Sequence, residues 1–569
     1  MLLLAALAAA LCVAAYWPAV RGPFVYDDIF EIEGNPAIRR LWPPWEAMRS
    51  PGGFPTRLLP YYTFALNHAV NGLAPLGWHL TNLAIHLGNG LLVNLLVFRM
   101  LATARGHDPV AAGVNRADLV AWVAATLWLV HPLASQPVAY VYQRMELMAA
   151  TAILAALGCF LAGRSPGMLS ATVAIAVTGM LCKETAAVIP PAVLLVDWLV
   201  VSWQPDRPWR SLGAALGSRP LFYASLFATL GVAAGLVWLQ RGSYRELTTP
   251  VWSPLAYALT QPSVILHYLR LAVAPVGQCF DYGWPAERSV AMALPGLAAV
   301  VGAIAAAGWS VPQRPLAACA ILLFLLLLAP SSSLVPVNDI CVEHRIYLPL
   351  AVVIAAASVA VTTTLKPAPP ALIAGALVLA AVLAGVTAAR TTVYGSLLAL
   401  WTDTAAKSPH NQRALLWVGI ALDEAGRHDE ALAAFGRTIA ADPENPACAR
   451  AHTFRAAQLG RRGDLTSAVA EARRAVELAP DDGLGWVNLA RGLYELGQLS
   501  AAEEAGRRSI DSCRGGERLV AMVNLARILA GTGRIREAVS LCTAVLAADP
   551  GHEPARRLLA DLASRGGRR

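Results

Sequence analysis

The chain has 569 residues, of which 56% are hydrophobic and 14% are charged, and its mean hydropathy is +0.51. This composition excludes an ordinary soluble enzyme. The formal net charge of +8 is nearly all arginine, and no basic stripe with interleaved aromatic residues argues for nucleic-acid binding. Because Lys183, Lys366 and Lys407 are the only lysines, the arginine bias indicates a GC-rich, prokaryotic source.

Apolar stretches of about 20 residues, enough to cross a bilayer, predict eleven spanning helices near residues 2–20, 79–101, 118–135, 146–163, 168–182, 185–201, 221–239, 291–309, 316–330, 347–364 and 370–388. The first lacks a basic start and a convincing cleavage site, so we expect a retained helix rather than a signal peptide. Segment 261–276 is apolar but contains His267 and Arg270, and we expect it to be re-entrant or interfacial. This count places the arginine-bearing short loops in the cytoplasm and the C-terminal region outside.

The first outer loop, residues 21–78, contains the tripeptide Tyr26-Asp27-Asp28. Two adjacent carboxylates beside a membrane are costly unless they are solvated or functional. The helix that follows carries His79, Asn82 and His86, which share one helical face. These three side chains predict either hydrogen bonds in helix packing or a metal site, and packing is favoured because two helical turns separate the histidines.

Further polar groups fall at predicted outer membrane edges, namely Gln143-Arg144-Met145-Glu146, Lys183-Glu184, Asp339 and Glu343-His344-Arg345-Ile346-Tyr347. Any one of them is explained by snorkelling or local pairing. Three cations share a predicted edge with the acidic pair, namely Arg144, Lys183 and Arg345. This grouping is not explained by local pairing and indicates a binding site. Such cations bind phosphate, and an exposed carboxylate acts as a general base. The combination predicts a lipid-linked phosphorylated substrate that meets a hydroxyl nucleophile.

The nine cysteines form no CxxC pair or metal-ligand spacing. Cys279 and Cys341 fall in loops placed on the outer side, where a disulfide is an alternative, and free buried thiols are the expected state.

The C-terminal region is polar and repetitive. Alanines recur at steps of 37, 34 and 36 residues, each five residues after a glycine, at Ala431, Ala468, Ala502 and Ala538. Small residues where two helices cross, with a glycine in the turn between them, are typical of tetratricopeptide repeats. We expect four repeats and a capping helix, over residues 412–445, 449–482, 483–516, 519–552 and 553–564.

Several of these segments, in their order along the chain, resemble the multi-spanning TMTC family of O-mannosyltransferases with tetratricopeptide repeats, within the GT-C glycosyltransferase class. They are Phe24-Val25-Tyr26-Asp27-Asp28, His79-Leu80-Thr81-Asn82-Leu83, His131-Pro132, Gln143-Arg144-Met145-Glu146-Leu147, Lys183-Glu184 and Glu343-His344-Arg345-Ile346-Tyr347-Leu348-Pro349. The expected fold is all-α: a GT-C-like membrane domain of about eleven spans over 1–400, then a repeat superhelix over 401–569.

The resemblance implies transfer of a sugar, mannose or another hexose, from a polyprenyl or dolichyl monophosphate to Ser or Thr of an extracytoplasmic protein. Asp27 or Asp28 would be the base, and the anomeric centre would invert. Candidate ligands of the donor phosphate are Arg345, Arg144 and Lys183. Glu343 is expected to position Arg345, and the remaining supporting residues are Glu184, Tyr347, His79, Asn82 and His86.

The sequence departs from the family pattern at Gln143, Met145, Glu146 and His344, which bears most on the phosphate ligands. No metal-ligand set is evident, and metal dependence stays open. The expected partners are the donor lipid and an acceptor protein held by the repeats, in a prokaryotic plasma membrane with the repeats outside. Two alternatives remain: a non-catalytic assembly factor whose repeats recruit outer proteins, or a GT-C enzyme acting on glycolipid or polysaccharide.

Overall fold

The computed structural model describes residues 2–48, 57–106, 108, 111, 113, 116–239, 252–287, 289–333, 336–445, 448–513 and 515–566. Most of these residues are helical, and none of them lies in a β-strand. The predicted all-α class is therefore confirmed. The chain divides into two compact units, Met1–Leu400 and Trp401–Arg569.

The α-helices of the first unit are α1 (Leu2–Val20), α2 (Pro44–Ala47), α3 (Leu58–Asn71), α4 (Pro75–Ala104), α5 (Ala117–Leu129), α6 (Ser135–Ala139), α7 (Arg144–Ala162), α8 (Pro166–Met180), α9 (Ile189–Val196), α10 (Arg210–Ser218), α11 (Pro220–Leu239), α12 (Pro254–Val273), α13 (Val290–Ser310), α14 (Pro315–Leu328), α15 (Tyr347–Leu365) and α16 (Pro369–Thr392). Helix α17 (Leu397–Lys407) contains the boundary between the units. Short 3₁₀ or π segments lie at Ile29–Glu33, Ala37–Arg39, Pro132–Ala134, Val141–Gln143, Glu184–Val188, Asp197–Val201, Glu343–Ile346 and Val393–Gly395.

Each of the eleven predicted spans coincides with helical structure. Among the described residues, seven helices are long and apolar enough to cross a membrane, and up to nine if each of two bent helix pairs is one span. Helices α8 and α14 are apolar but shorter, with 15 and 14 residues. The structure thus supports seven to nine spans by length and composition where the sequence predicted about eleven. Segment 261–276, expected to be re-entrant or interfacial, lies largely in the regular helix α12.

The first outer loop contains more secondary structure than its polarity indicated. Helix α3 occupies Leu58–Asn71, and its buried side includes Tyr61, Phe64 and Ala65. Phe64 and Ala65 lie three and four positions after Tyr61, which gives α3 one apolar face. That face packs α3 against the rest of the unit and fixes the loop over the ends of the membrane helices.

Small residues and hydroxyl groups join the membrane helices, as expected where lipid provides no hydrophobic drive for helix association. A Cβ at Gly90 of α4 would lie 2.6 Å from the Leu129 side chain of α5. On α16, the Thr391 hydroxyl donates to the Ala15 carbonyl oxygen of α1 at 2.9 Å. These contacts hold the N-terminal helix, and the loop that follows it, against the bundle.

The second unit consists of helix pairs: α18 (Gln412–Glu424) with α19 (His428–Ala441), α20 (Ala449–Arg461) with α21 (Leu465–Leu478), α22 (Gly483–Glu495) with α23 (Leu499–Ser512), and α24 (Gly515–Gly531) with α25 (Ile535–Ala548), followed by α26 (Glu553–Gly566). The glycine in each turn has φ between +75° and +82°, at Gly426, Gly463, Gly497 and Gly533. Only glycine adopts this region without a steric cost, which explains the spacing of glycines in the sequence.

Candidate active site

The acidic motif forms a tight turn beyond α1. Tyr26 has a φ of +51°, in the left-handed region that costs a residue with a Cβ about 1–2 kcal/mol. Asp28 stabilises the turn because its Oδ2 accepts a hydrogen bond from the Val25 amide at 3.0 Å. The Asp28 amide in return donates to the Val25 carbonyl oxygen at 3.0 Å. The position of Asp27 is therefore fixed by the backbone on both sides.

Asp28 is enclosed by protein, with a relative exposure of 0%. Its second oxygen, Oδ1, accepts a hydrogen bond from the Tyr142 amide at 2.6 Å. Burial raises the pKa of Asp28, against the lowering effect of the Val25 and Tyr142 amides. Both carboxylate oxygens thus connect the first loop to the segment that leads into α7, and the surroundings favour a structural role.

Asp27 is only partly buried. The Tyr140 hydroxyl accepts a hydrogen bond from the Asp27 amide at 3.1 Å and hydrogen-bonds to the Asp27 carboxylate. Burial raises the pKa of Asp27 to about 6, an effect that the Tyr140 hydrogen bond opposes. The carboxylates of Asp339 and Glu31 raise this pKa further, and the Arg57 guanidinium lowers it. A carboxylate that titrates near neutral pH is suited to general base catalysis.

A polar network from the first loop lies beside Asp27. The Arg57 guanidinium forms an ion pair with Glu184 at 3.0 Å and donates to the Tyr142 hydroxyl at 3.2 Å. The Tyr61 and Tyr142 hydroxyls are 3.3 Å apart, and Tyr61 also donates to Glu31. Arg57 therefore brings a positive charge into the region where Asp27 lies.

Aromatic rings form one wall of the same region. The Phe280 ring centroid is 5.4 Å from that of Tyr140, 6.1 Å from that of Tyr26 and 6.1 Å from that of Tyr394. These rings come from four separate parts of the chain. Tyr140, Phe280 and Tyr394 are buried, so this aromatic wall holds Tyr140, the hydrogen-bond partner of Asp27, in place.

Lys183 and Arg345 also converge on this region. Lys183 forms an ion pair with Glu146 at 2.7 Å, and each of these side chains is 9% exposed. The Arg345 guanidinium donates to the carbonyl oxygens of Asp339 at 2.6 Å and Ile340 at 3.0 Å. The His344 side chain lies within electrostatic range of Lys183, Arg345 and Arg57, so these three cations belong to one region of the structure.

Arg144 has different surroundings, since its side chain is fully buried. Its Nε donates to Asn82 Oδ1 at 2.8 Å, Nη1 to the Thr63 carbonyl oxygen at 3.3 Å, and Nη2 to the Trp78 carbonyl oxygen at 3.1 Å. Its guanidinium also lies over the Phe64 ring, 4.9 Å from the centroid. Every nitrogen of this guanidinium has a protein acceptor, which favours a role in joining α7 to α3 and α4.

Glu343 does not bond to Arg345 as the sequence led us to expect. Its Oε1 accepts hydrogen bonds from the Cys279 amide and the Tyr282 hydroxyl, each at 2.7 Å, and Oε2 accepts one from Gln278 at 3.1 Å. The expected positioning of Arg345 by Glu343 is therefore wrong. Glu343 instead holds the segment after α12, which carries Phe280, against the start of α15.

The histidine-rich face of α4 takes part in helix packing. His86 bonds through Nδ1 to the Tyr347 hydroxyl at 2.8 Å and through Nε2 to the Leu129 carbonyl oxygen at 3.0 Å. Asn82 donates to the Val141 carbonyl oxygen at 3.3 Å, and His79 lies 3.3 Å from the Gly22 carbonyl oxygen. These contacts support the packing interpretation of the three residues over the metal interpretation.

All nine cysteines are free, including Cys279 and Cys341, which are both buried. Free buried thiols are thus confirmed over the alternative disulfide.

The sequence interpretation assigned no role to several residues that surround Asp27. Tyr140, Phe280 and Tyr394 carry no charge, and each lies far from Asp27 along the chain. Arg57 is one polar residue among several in the first loop, and no sequence pattern singles it out. The alternation of Tyr140 and Tyr142 immediately before Arg144 was the one local signal that pointed to aromatic residues at this edge.

Comparisons with known proteins agree with this organisation. A family profile of the tetratricopeptide repeat matches residues 394–446 and 455–517. Several relatives share sequence with the chain, and three of them are described here. Protein O-mannosyl-transferase Tmtc3 of Drosophila melanogaster is 30% identical over 163 residues, which cover 26% of this chain and 17% of that protein. Protein O-mannosyl-transferase F38B6.6 of Caenorhabditis elegans is 24% identical over 299 residues, 49% of this chain and 39% of that protein.

Protein O-mannosyl-transferase TMTC4 of Homo sapiens is 25% identical over 301 residues, 46% of this chain and 40% of that protein. The chain is similar to the TMTC protein O-mannosyl-transferases. The resemblance inferred from the sequence motifs is thereby confirmed. The chain spans less than half the length of these TMTC relatives.

Two solved repeat structures are also similar to part of the chain. A MamA protein structure is 19% identical, with a TM-score of 0.23, and covers 26% of this chain and 79% of that one. YrrB, described as a TPR protein with an unusual peptide-binding site, is 19% identical, with a TM-score of 0.24, and covers 28% and 80%. TM-scores this low carry no argument about function.

Proposed function

We propose that this protein is an integral-membrane O-glycosyltransferase, of the GT-C class, that moves a hexose from a polyprenyl-phosphate donor to Ser or Thr of an extracytoplasmic protein. The observation that carries the proposal is Asp27, a partly buried carboxylate with a pKa of about 6, which is hydrogen-bonded to Tyr140 of an aromatic wall and lies within electrostatic range of Arg57. The names of the TMTC relatives support the reaction class.

Asp27 takes the proton from the acceptor hydroxyl in this proposal. The hydroxyl oxygen attacks the anomeric carbon while the bond from that carbon to the phosphate oxygen breaks. One new glycosidic bond forms, polyprenyl monophosphate leaves from the opposite face, and the configuration inverts. The Tyr140 hydroxyl orients the Asp27 carboxylate toward the acceptor.

Arg345, Lys183 and Arg57 stabilise the charge on the leaving phosphate. These cations lie within electrostatic range of His344, and preorganised positive charge is most effective where negative charge develops. Arg144 is assigned to the scaffold, because its guanidinium already has protein acceptors for each nitrogen.

The tetratricopeptide repeats bind the acceptor protein, as such arrays present extended binding surfaces. We place the enzyme in a prokaryotic plasma membrane with the repeats on the outer side. This placement follows from the arginines of the short predicted cytoplasmic loops.

The test compares Asp27→Asn and Asp28→Asn in purified protein, with a polyprenyl-phosphate hexose as donor and a Ser/Thr protein as acceptor. D27N should lower transfer at least about 100-fold with an unchanged melting temperature, since only the base is lost. D28N should lower the melting temperature, because one oxygen that accepts from a backbone amide is replaced.

Asp206→Asn, on an exposed loop, is the matched control and should change neither quantity. Transfer by D27N at the wild-type rate would show that Asp27 is not the base. Hexose found on glycolipid or polysaccharide, with none on protein, would contradict the proposed acceptor.

A further inference from the structure

An apolar cleft lies between α4, α7, α14 and α15, away from the candidate active site. Its cavity volume is about 320 Å³. One wall is formed by Val97 of α4 and Leu157 of α7, and the other by Ala317 of α14 and Ala355 of α15. Alanines alternate with leucines and valines along α14 and α15, and the rest of the lining is also largely apolar.

The cleft runs along almost all of α15, since its lining extends from Leu348 to Thr364. At 1.5 Å per residue this stretch is roughly 24 Å long. The hydrocarbon core of a bilayer is about 30 Å thick. The cleft is therefore long enough for one extended acyl chain of a membrane lipid.

One end of the cleft carries a positive charge. Arg314 lines it there together with Thr363 and Thr364, while Leu348 lies at the opposite end, next to the segment that carries Arg345. The Arg314 side chain is exposed, and among the described residues no carboxylate forms an ion pair with it. This end of the cleft therefore combines a cation with two hydroxyl-bearing residues at the edge of an apolar space.

Asp108 lies near this end of the cleft, but its carboxylate oxygens accept from backbone amides. Asp108 accepts hydrogen bonds from the Ala111 amide at 3.1 Å and from the Leu316 amide at 2.8 Å. Asp108 thus binds the backbone at Leu316, two residues after Arg314. The Arg314 guanidinium therefore stays available to a bound ligand.

We propose that this cleft binds an anionic phospholipid, with its phosphate on Arg314 and an acyl chain between α4, α7, α14 and α15. Basic pockets between membrane helices on the cytoplasmic side recognise anionic headgroups, and the loop of Arg314 is one that the sequence places in the cytoplasm. The chain of a polyprenyl-phosphate donor fits less well, because its phosphate belongs at the end of α15 where Arg345 lies. The choice of a phospholipid over the donor lipid rests on the proposed function, which places the donor phosphate at Arg345.

The test is native mass spectrometry of the full-length protein with phosphatidylglycerol and phosphatidylcholine of identical acyl chains. The wild type should retain phosphatidylglycerol about fivefold better, as expected for one arginine at a lipid phosphate. Arg314→Gln should reduce this ratio to about one. Arg314→Lys, which keeps the charge, should preserve most of it.

Two further variants locate the binding site. Ala355→Phe should lower the binding of both lipids, because the phenyl ring occupies the cleft. Arg207→Gln removes an exposed arginine outside the cleft and should leave the ratio unchanged.

Equal retention of the two lipids by the wild type would overturn the proposal, as would an unchanged ratio in R314Q. An equal loss in R207Q would assign the effect to general surface charge. Displacement of phosphatidylglycerol by a polyprenyl phosphate would assign the cleft to the donor chain, and this too would overturn it.

Discussion

At the scale of single residues, two adjacent aspartates have opposite surroundings. Asp28 uses both oxygens on backbone amides and has no exposed surface, whereas Asp27 is only partly buried and is hydrogen-bonded to Tyr140. The sequence presented them as equivalent, because neighbours in a chain share composition but not burial. A turn with one residue at positive φ separates their side chains into different environments.

The raised pKa of Asp27 predicts how activity depends on pH. The basic form predominates above a pKa of about 6, so kcat/KM should be constant at higher pH and fall tenfold per unit below it. Tyr140→Phe removes the hydrogen bond that lowers this pKa, so the acid limb should move to higher pH. Initial rates measured between pH 4.5 and 8.5 give the acid limb of the wild type and that of Tyr140→Phe. An acid limb near pH 4 in the wild type would contradict the assignment.

Arg144 gives a second prediction at this scale. Arg144→Lys removes the planar fork that donates to Asn82, Thr63 and Trp78, and a lysine ammonium cannot reproduce that geometry. We expect a loss of stability of about 2–4 kcal/mol, seen as a lower melting temperature in detergent. The KM for the donor should not change. A raised KM at an unchanged melting temperature would restore Arg144 as a phosphate ligand.

At the scale of elements, the helices follow the apolar stretches, but the connections between them decide the site. Residues 21–78 are polar overall, yet α3 forms there because Tyr61, Phe64 and Ala65 share one face. The segment after α12 contacts Tyr140, the hydrogen-bond partner of Asp27, through Phe280, and it is held by Glu343. These connections join residues that are distant in sequence, which a local pattern does not reveal.

The turns of the repeats provide a prediction for this scale. Gly463 has φ +82°, so Gly463→Ala should destabilise the protein by about 1 kcal/mol. Gly436 lies within the helix α19, and a Cβ there would meet no atom within 4 Å. Gly436→Ala is therefore the matched control and should be neutral or stabilising by up to about 1 kcal/mol. Chemical denaturation compares them, and equal effects would refute the role of the turn.

At the scale of the whole molecule, the chain consists of two compact units that meet at Leu400 and Trp401. The first contains all the residues proposed for chemistry, and the second contains most of the repeat match. This division predicts that catalysis and recognition of a protein acceptor can be separated.

A truncated protein of residues 1–400 should transfer hexose to short Ser/Thr peptides at a rate within about tenfold of the wild type, since its base and cations are intact. Its activity on a folded acceptor protein should fall much further. Product formation with both acceptors, measured by mass spectrometry, distinguishes the two effects. Equal loss on both acceptors would mean that the repeats contribute to the chemistry itself.

The sequence by itself determined the helices and the repeat units with their glycine turns. The length of an apolar stretch and the spacing of small residues depend only on positions close together in the chain. Both can therefore be recognised in a single sequence. Only the tertiary structure separated Asp27 from Asp28, enclosed Arg144 and brought Tyr140, Phe280 and Arg57 to the carboxylate. Burial and hydrogen-bond partners arise from contacts between distant segments, and they decide which charged group is available for chemistry.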